Sequence, residues 1–264
     1  MKRYLVIGNP INHSLSPELH NYWIKQNGLD ALYEKKELSD NELENLILDI
    51  KKTSINGVNV TIPYKNSVIP YLDELSEQAK ITQAVNTIYL KDKKVIGHNT
   101  DIEGFENAIK NINFNFNNKK IFILGAGGVV PSIIYSSIKM GSSEILISNR
   151  TKEKAEKIKS IFENVKLINW GEIPNFDVII NATSLGLKPE DKFNLDFTKV
   201  GKNKLFYDVI YNPSETNFLK EGKKLGNKCE NGKLMFIYQA FAAFKLWHEI
   251  EPEVGDETIK LLDL

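Results

Sequence analysis

A lysine directly after a predicted strand is the first residue whose position suggests chemistry. The stretch GVNVTIPYK, residues 57–65, is largely apolar until Pro63, and a proline cannot donate a hydrogen bond to a sheet. Lys65 therefore lies just past a strand end, where α/β proteins place their functional groups. Two interpretations are open: a solvated lysine that opens a helix, or a cation held in a site by a partner group.

A glycine-rich turn between an apolar strand and a helix is the second such feature. The stretch KIFILGAGGVV places Gly125, Ala126, Gly127 and Gly128 where a dinucleotide fingerprint has its turn. Gly125 permits the tight turn, and Gly127 lets backbone N–H groups approach a pyrophosphate at the helix N-terminus. Val130 stands at the third fingerprint position, which is normally Gly or Ala. A second strand follows the helix, and this full context predicts nucleotide binding.

The strand after that helix ends in SNRT and not in Asp or Glu. An acidic residue there would bind a ribose 2′-hydroxyl, whereas Arg150 matches the geometry of a 2′-phosphate. Asn149 and Thr151 would be further donors to the phosphate. A solvated arginine is the alternative interpretation. The pattern favours NADP(H) over NAD(H).

Polar residues also collect in loops of the first hundred residues. GNPINHSLSPELHN puts Ser14 and Ser16 before a helix, where hydroxyl and N–H groups could hold a carboxylate, although Ser16 is also expected to cap that helix. AVNT contains Asn86. GHNTDIEG places Asp101 at a helix start, where an acid commonly complements the helix dipole. Binding and capping interpretations are both open for these residues.

Composition limits the classes of protein to consider. The 264 residues are enough for two domains, at roughly 150 residues per domain. The 34 Lys and Arg residues balance the 34 Asp and Glu residues, so we expect neither nucleic acid nor an anionic membrane as partner. We expect no signal segment and no membrane span. Cys229 is the only cysteine, which excludes an intramolecular disulfide and a cysteine-rich zinc site and fits a cytoplasmic location.

The predicted elements that must position these residues form two alternating series. Strands alternate with helices up to about residue 85, which indicates βαβ units, and TIYLKDKKVIG then reads as a hairpin. After the asparagine-rich stretch NFNFNNKK, a second series begins with KIFILG. The segment KLMFIYQAFAAFKLWHEI is apolar on most faces and predicts a buried helix. The predicted fold class is α/β with two domains: a substrate domain with a mostly parallel sheet at 1–101 plus 237–264, and a Rossmann-type NADP-binding domain at 102–236.

Taken in order, these stretches resemble the shikimate dehydrogenase family over nearly the whole chain. The matching stretches are GNPINHSLSPELHN, GVNVTIPYK, AVNT, GHNTDIEGF, ILGAGGV, SNRT, NATSLG, YDVIYNPSET and NGKLMFIYQAF. The resemblance implies reversible reduction of 3-dehydroshikimate to shikimate by NADPH, a step towards chorismate and the aromatic amino acids. It implies a monomer or homodimer, and no metal is required for this reaction.

The resemblance also implies a role for each matching residue. Lys65 and Asp101 match the catalytic pair, in which Lys65 stabilises charge on the carbonyl oxygen and delivers a proton while Asp101 orients it. The residues matching the substrate site are Ser14, Ser16, Asn59, Thr61, Asn86, Tyr211 and Gln239. The residues matching the NADP site are Gly125, Ala126, Gly127, Gly128, Val129, Asn149, Arg150 and Thr151, with Thr183, Val209, Gly232 and Met235 at the nicotinamide end.

Two departures from the family and two rival functions accompany this resemblance. Leu185 stands where the family usually has Met, and GAGGVVPSI replaces a stretch of small residues. The rivals are a quinate/shikimate dehydrogenase that uses NAD and a non-catalytic NADPH-binding regulator on the same fold. Arg150 speaks against the first, and the presence of both Lys65 and Asp101 speaks against the second. For Asp208 and its neighbour Thr216 two interpretations stay open: a wall of the site, or a turn that caps a helix.

Overall fold

Two six-stranded sheets organise the chain, and the computed structural model describes residues 1–262. One compact unit comprises residues 1–104 together with the C-terminal segment from Ile237, and the second unit comprises Phe105–Phe236. Residues 263–264, the end of the predicted substrate domain, lie outside the described residues. Each unit has its own sheet and its own buried core.

The sheet of the first unit has six strands: β1 (Lys2–Gly8), β2 (Ala31–Glu37), β3 (Gly57–Val60), β4 (Glu74–Leu75), β5 (Thr87–Lys91) and β6 (Lys94–His98). They lie in the order β2–β1–β3–β5–β6–β4. β1 is parallel to β2 and β3, and β4 is parallel to β6. β5 is antiparallel to β3 and also to β6, with which it forms the predicted hairpin. The predicted mostly parallel sheet is confirmed.

Helices of the first half of the chain alternate with these strands: α1 (Ser16–Gln26), α2 (Leu43–Lys51), α3 (Tyr64–Ser67), α4 (Glu77–Thr82) and α5 (Asp101–Asn111). The prediction that Ser16 caps α1 is wrong. Ser16 is the first helical residue, and Leu15 occupies the capping position without a side-chain hydrogen bond. The hydroxyl of Ser16 is therefore available for other partners.

The sheet of the second unit is parallel throughout and has six strands: β7 (Lys120–Leu124), β8 (Glu144–Ser148), β9 (Lys166–Leu167), β10 (Val178–Asn181), β11 (Leu205–Asp208) and β12 (Lys228–Glu230). Three helices connect strands of this sheet: α6 (Val130–Lys139), α7 (Lys152–Ile161) and α8 (Asn217–Lys224). The order β12–β11–β10–β7–β8–β9 is that of a dinucleotide-binding Rossmann fold. The order of connection reverses between β7 and β10, which is where such folds bind their ligands.

The C-terminal helices are α9 (Lys233–His248) and α10 (Asp256–Lys260). The later turns of α9 belong to the first unit, where Phe244 packs on Trp23 at a ring distance of 5.6 Å and both side chains are fully buried. Burial of each such aromatic ring contributes roughly 2–3 kcal/mol. Trp247 Nε1 also donates to the carbonyl of Ile88 in β5 at 3.2 Å. These contacts hold Gln239, further up α9, in the first unit, and the predicted buried helix is confirmed.

Candidate active site and cofactor site

Lys65 and Asp101 meet in the first unit although 36 positions separate them in sequence. β3 ends at Val60 and α3 begins after Pro63, so Lys65 falls in the first turn of that short helix. Lys65 Nζ lies 2.5 Å from Asp101 Oδ2, and the two side chains are only 12% and 7% exposed. A pair so shielded from water persists only when further hydrogen bonds satisfy its remaining atoms.

Asn86 provides those hydrogen bonds on the aspartate side. Its Nδ2 donates to Asp101 Oδ1 at 2.9 Å and to Thr100 Oγ1 at 2.9 Å, and its Oδ1 accepts from the N–H of Thr100 at 2.7 Å. Asn99 Oδ1 accepts from the N–H of Asp101 at 3.1 Å and so fixes the start of α5. Gln239 Oε1 lies 3.4 Å from the same Asn86 Nδ2. Asp101 is thus held from its backbone and from its side chain.

Asn59 lies buried on β3, next to this cluster. Its Nδ2 donates to the carbonyl of Asn86 and to Thr87 Oγ1, both at 3.1 Å. Its Oδ1 accepts from the hydroxyl of Tyr33 at 2.6 Å. Thr61, half-buried just beyond β3, donates its backbone N–H to β1 at 2.9 Å. The end of β3 therefore brings Asn59, Thr61 and Lys65 into one neighbourhood of the first unit.

Ser14 and Ser16 connect to this neighbourhood through Tyr33. Ser14 Oγ donates to Ser16 Oγ at 3.2 Å and accepts from the N–H of Ser16 at 3.3 Å. The hydroxyl of Ser16 also interacts with that of Tyr33 and acts to lower the pKa of the phenol, against the larger effect of burial. Burial raises the pKa of Tyr33 well above its usual value, so the phenol is neutral at physiological pH. A row of interacting polar side chains therefore runs from Ser14 through Ser16 and Tyr33 to Asn59.

Most of the predicted substrate and catalytic residues lie in this one network of the first unit. Direct hydrogen bonds link Ser14 to Ser16, Tyr33 to Asn59, Asn59 to Asn86, Asn86 to both Gln239 and Asp101, and Asp101 to Lys65. Ser16 joins this set through its interaction with Tyr33. Tyr211 is placed differently, because it belongs to the second unit, where its ring stacks on Phe236 at 4.4 Å.

Three residues of the network escaped the sequence prediction: Tyr33, Thr87 and Thr100. The sequence did mark the two threonines, because AVNT and GHNTD carry the same Asn–Thr pair, and each pair lies at one end of a predicted strand. Their hydroxyls lie 3.2 Å apart and both bond Asn86. Tyr33 had no such signal, since an aromatic residue on a strand is typical of an ordinary core.

In the second unit, the glycine turn follows β7 at the point where the connection order reverses. Gly125 has φ +112° and donates its N–H to the carbonyl of Ser148 at 2.8 Å. A Cβ there would lie 2.6 Å from the carbonyl oxygen of Ala182, so only glycine fits. Gly127 is exposed, which leaves its backbone accessible to a ligand. The half-buried residues of the turn that lead into α6 are Ala126, Gly128 and Val129.

Val130, the departure from the fingerprint, is the first residue of α6 and is fully buried. Its β-branched side chain is therefore accommodated in the core and does not project into the turn. Pro131 follows within the first turn of the helix, where a missing N–H leaves no broken hydrogen bond. α6 thus begins directly after the glycine turn, the position in which a helix N-terminus can take part in phosphate binding.

The end of β8 carries the residues predicted to bind a 2′-phosphate. Asn149 Nδ2 donates to the carbonyl of Thr151 at 2.6 Å, which folds the short stretch before α7. Arg150 is exposed, so its guanidinium is accessible to an anion. Thr151 precedes α7 and makes no side-chain cap there. The stretch presents one cation and no acidic side chain beside it.

The loops after β10 and β11 hold each other through a buried aspartate. Asp208 Oδ1 accepts from Asn181 Nδ2 at 2.9 Å, and Asp208 Oδ2 accepts from Thr216 Oγ1 at 2.6 Å. Burial raises the pKa of Asp208 to about 6, although its hydrogen bonds act in the opposite direction. Thr183 Oγ1 donates to Asn181 Oδ1 at 2.7 Å and accepts from the N–H of Leu185 at 3.0 Å. Thr216 accepts from a backbone N–H at the start of α8, which confirms its capping interpretation.

Val209 and Gly232 lie close to these loops in the second unit, and Met235 follows them in sequence. The N–H of Val209 donates to the carbonyl of Asn181 at 2.9 Å. A Cβ at Gly232 would lie only 2.1 Å from the carbonyl oxygen of Val209, so this close approach requires glycine. Met235 is buried at the start of α9. Val209 and Gly232 therefore lie at the same end of the second sheet as Thr183.

The described polar groups at the end of the second sheet fit a phosphorylated dinucleotide and form no metal-binding cluster. A glycine turn with an accessible backbone, a helix start and an exposed arginine are the groups that phosphates bind. Within residues 1–262, no group of three or more His, Cys, Asp or Glu side chains is placed to hold a metal ion. In the same range, no helix has both the length and the apolar character needed to cross a membrane.

The Rossmann unit and the lysine–aspartate network together define a class: two-unit α/β oxidoreductases that use a nicotinamide cofactor. Family models agree with that class. The model of the shikimate dehydrogenase substrate binding domain matches residues 6–88, and that of shikimate/quinate 5-dehydrogenase matches residues 106–188.

Individual relatives match the whole chain. The shikimate dehydrogenase (NADP(+)) of Pelagibacter ubique is 57% identical, over 100% of this chain and 99% of its own length. The crystal structure of shikimate dehydrogenase from Aquifex aeolicus has a TM-score of 0.91 at 37% identity and covers 100% of this chain and 97% of its own. That of shikimate 5-dehydrogenase from Thermus thermophilus, in complex with NADP(H) and shikimate, has a TM-score of 0.90 at 28% identity and covers 100% and 99%. This chain belongs to the shikimate dehydrogenase family.

Proposed function

We propose that this protein catalyses the reversible NADPH-dependent reduction of 3-dehydroshikimate to shikimate, a step of aromatic amino acid biosynthesis. Relatives that match 95–100% of the chain are named as NADP(+) shikimate dehydrogenases. The observation that carries the proposal is the shielded contact between Lys65 and Asp101. It is the arrangement that reduction of a carbonyl group requires.

Lys65 is the group that acts on the reacting carbonyl. Negative charge develops on the carbonyl oxygen during reduction, and an ammonium aimed at that oxygen stabilises the transition state more than the neutral ground state. Lys65 then delivers a proton to the oxygen, and in the reverse direction it accepts the proton back. Asp101 fixes the ammonium in place, and Asn86 fixes Asp101. Bound NADPH supplies the hydride.

The substrate is held by the network of the first unit. Ser14 and Ser16 bind its carboxylate, since hydroxyl and N–H donors converge at the start of α1. The ring hydroxyls or the carboxylate are bound by four further residues of this unit: Asn59, Thr61, Asn86 and Gln239. Tyr211, which belongs to the second unit, is included among the substrate residues because it matches a substrate-site tyrosine of the family. This division assigns the substrate and catalytic groups to the first unit and the cofactor to the second.

NADP(H) is held by the end of the second sheet. The backbone of Gly125–Val129 and the start of α6 bind the pyrophosphate, and Arg150 binds the 2′-phosphate with Asn149 and Thr151 beside it. Four residues line the nicotinamide end: Thr183, Val209, Gly232 and Met235. The absence of an acidic side chain at the end of β8 supports NADP over NAD, and the intact Lys65–Asp101 pair supports an enzyme over a non-catalytic regulator.

The first experiment is absorbance at the NADPH band with purified protein, NADPH and 3-dehydroshikimate, with NADH run alongside. We expect rapid oxidation of NADPH and little of NADH. Lys65→Ala and Asp101→Ala should each lower turnover by at least about 100-fold while NADPH binding is retained, because they remove transition-state stabilisation and not cofactor contacts. Lys52→Ala, which changes an exposed lysine of the same unit, is the matched control. Full activity in either catalytic variant would contradict the assignment.

The cofactor assignment has its own test. Arg150→Ala should raise the KM for NADPH by about 10- to 100-fold, as loss of a charge-assisted hydrogen bond predicts, and leave the KM for NADH nearly unchanged. Lys154→Ala removes an exposed cation from the neighbouring α7 and serves as the control. Equal effects on both cofactors would remove the phosphate role of Arg150.

We further propose a cytoplasmic enzyme that is a monomer or a homodimer. The single cysteine, Cys229, has no disulfide partner, which supports a reducing compartment. Sedimentation equilibrium across a range of protein concentrations would decide between the two oligomeric states, and a larger assembly would contradict both.

A further inference from the structure

Tyr33 occupies a position that the catalytic assignment leaves unexplained. It lies on β2, only 2% exposed, and its hydroxyl joins two parts of the substrate site. The hydroxyl donates to Asn59 Oδ1 at 2.6 Å, and the Ser16 hydroxyl interacts with it from the other side of the site. One side chain therefore bridges the proposed carboxylate-binding serine and a residue proposed to bind a ring hydroxyl.

The hydrogen bond from Tyr33 fixes the orientation of the Asn59 side-chain amide. The amide nitrogen has two hydrogens, and both are used, in bonds to the carbonyl of Asn86 and to Thr87 Oγ1. The amide oxygen has two lone pairs, and Tyr33 occupies one of them. The single remaining capacity of Asn59 is to accept one hydrogen bond. Asn59 can thus accept a hydrogen bond from a substrate hydroxyl but cannot donate one to a substrate oxygen.

Tyr33 is itself rigidly placed. Its backbone is held from both sides by Asn21, which accepts from its N–H at 2.9 Å and donates to its carbonyl at 2.8 Å. Its ring stacks on that of His20 with centroids 4.2 Å apart and planes 2° from parallel. A phenol fixed by its backbone and by its ring holds its hydroxyl in one place, and a fixed donor lowers the cost of ordering the groups it binds.

We propose that Tyr33 is a positioning residue that fixes Asn59 as an acceptor for a substrate ring hydroxyl and couples it to Ser16 at the carboxylate. The inference rests on the proposed function, because it needs a substrate that carries both a carboxylate and ring hydroxyls. Tyr33 touches neither the reacting carbonyl nor the cofactor. Its removal should therefore weaken substrate binding and leave the chemical step largely intact.

The test is Tyr33→Phe, measured in the direction of shikimate oxidation with NADP⁺. We expect the KM for shikimate to rise about tenfold, as the loss of one buried hydrogen bond predicts, with kcat changed by less than about threefold and the KM for NADP⁺ unchanged. The dissociation constant of shikimate, from isothermal titration calorimetry, should rise by the same factor. Tyr4→Phe is the matched control, because Tyr4 pairs with Tyr33 in the register of β1 and β2 and is equally buried.

A double-mutant cycle with Ser16→Ala tests the coupling. If Tyr33 links the two subsites, the combined variant should lose less affinity for shikimate than the sum of the two single losses, whereas a cycle with Tyr4→Phe should be additive. Additive losses in the Tyr33 cycle, or a Tyr33→Phe variant that loses kcat and not affinity, would overturn the proposal. A wild-type enzyme that oxidises no shikimate would instead overturn the proposed function.

A second variant guards against a folding defect in Tyr33→Phe. Thr87→Val removes the acceptor on the other side of the Asn59 amide, and Thr87→Ser restores a hydroxyl at the same place. A raised KM for shikimate in Thr87→Val that is rescued in Thr87→Ser supports the fixed orientation of Asn59. An unchanged KM in Thr87→Val would show that this orientation does not matter for binding.

Discussion

Asp208 should make the stability of the second unit fall as the pH rises from about 4 to about 6. Its carboxylate is fully buried and accepts from Thr216 Oγ1, from Asn181 Nδ2 and from the N–H of Ile210 at 3.0 Å. These bonds favour the charged form, but burial is the larger influence and raises the pKa from 3.8 to about 6. The folded chain therefore holds this proton in a pH range where the unfolded chain has already released it.

The sign and size follow from proton linkage. A group with a raised folded-state pKa contributes stability that is fully present below its unfolded pKa and is lost as the pH passes its folded pKa. The full difference between 3.8 and about 6 corresponds to about 3 kcal/mol, at 1.36 kcal/mol for each pKa unit. Of this, about 1 kcal/mol is already lost at pH 4.5, so about 2 kcal/mol separates pH 4.5 from pH 7.5.

Asp208→Asn isolates this contribution, because the side-chain amide is neutral at every pH. It keeps one oxygen as an acceptor, and its NH₂ group can contact the Thr216 hydroxyl. Guanidinium unfolding of the wild type and the variant, followed by circular dichroism at pH 4.5, 5.5, 6.5 and 7.5, gives the difference in unfolding free energy at each pH. That difference should shift by about 2 kcal/mol in favour of the variant towards pH 7.5. Glu163→Gln, at an exposed carboxylate of the same unit, should show a flat difference. A flat difference for Asp208→Asn would refute the reasoning.

Two further predictions concern single contacts. Gly232→Ala should destabilise the second unit by at least about 3 kcal/mol in chemical unfolding, because its Cβ would lie 2.1 Å from the carbonyl oxygen of Val209; Gly201→Ala, with nothing within 4 Å, is the control and should be neutral. Asn86→Ala should lower kcat by about 10- to 100-fold, because Asp101 loses the 2.9 Å hydrogen bond that holds it and Lys65 loses its fixed position. Unchanged NADPH binding should accompany the loss in kcat, and a kcat equal to that of wild type would contradict the role of Asn86.

The cofactor half was the more predictable from sequence because its signals are local. Gly125 lies directly between a strand and a helix, and both the turn and its position at the reversal of connection follow from chain order alone. The strands that sequence reasoning missed, β4 and β12, have only two and three residues, too few to show an alternating pattern. They extend the sheet edges without moving the predicted site.

The substrate half was predictable in its residue types and not in its contacts. Lys65 was singled out because a proline ends its strand, but its pairing with Asp101 depends on how β3, β6 and the start of α5 come together. The misassigned cap at Ser16 shows the same limit. A serine before a helix commonly caps it, yet here Ser14 supplies the bond to the Ser16 N–H at 3.3 Å and frees Ser16 for Tyr33. Such choices depend on tertiary geometry that residue types do not encode.

A count of hydrogen-bond donors explains why Lys65, of all the polar groups in the network, is the one suited to protonate a substrate oxygen. Both hydrogens of the Asn59 amide are used, and the two hydrogens of the Asn86 amide face Thr100, Asp101 and Gln239. The ammonium of Lys65 has three hydrogens, and within residues 1–262 its side chain bonds only Asp101. Two donors therefore remain on the charged group, while the neutral amides are committed to holding the site. The unused hydrogen-bond donors therefore lie on Lys65, the group proposed to contact the oxygen on which negative charge develops.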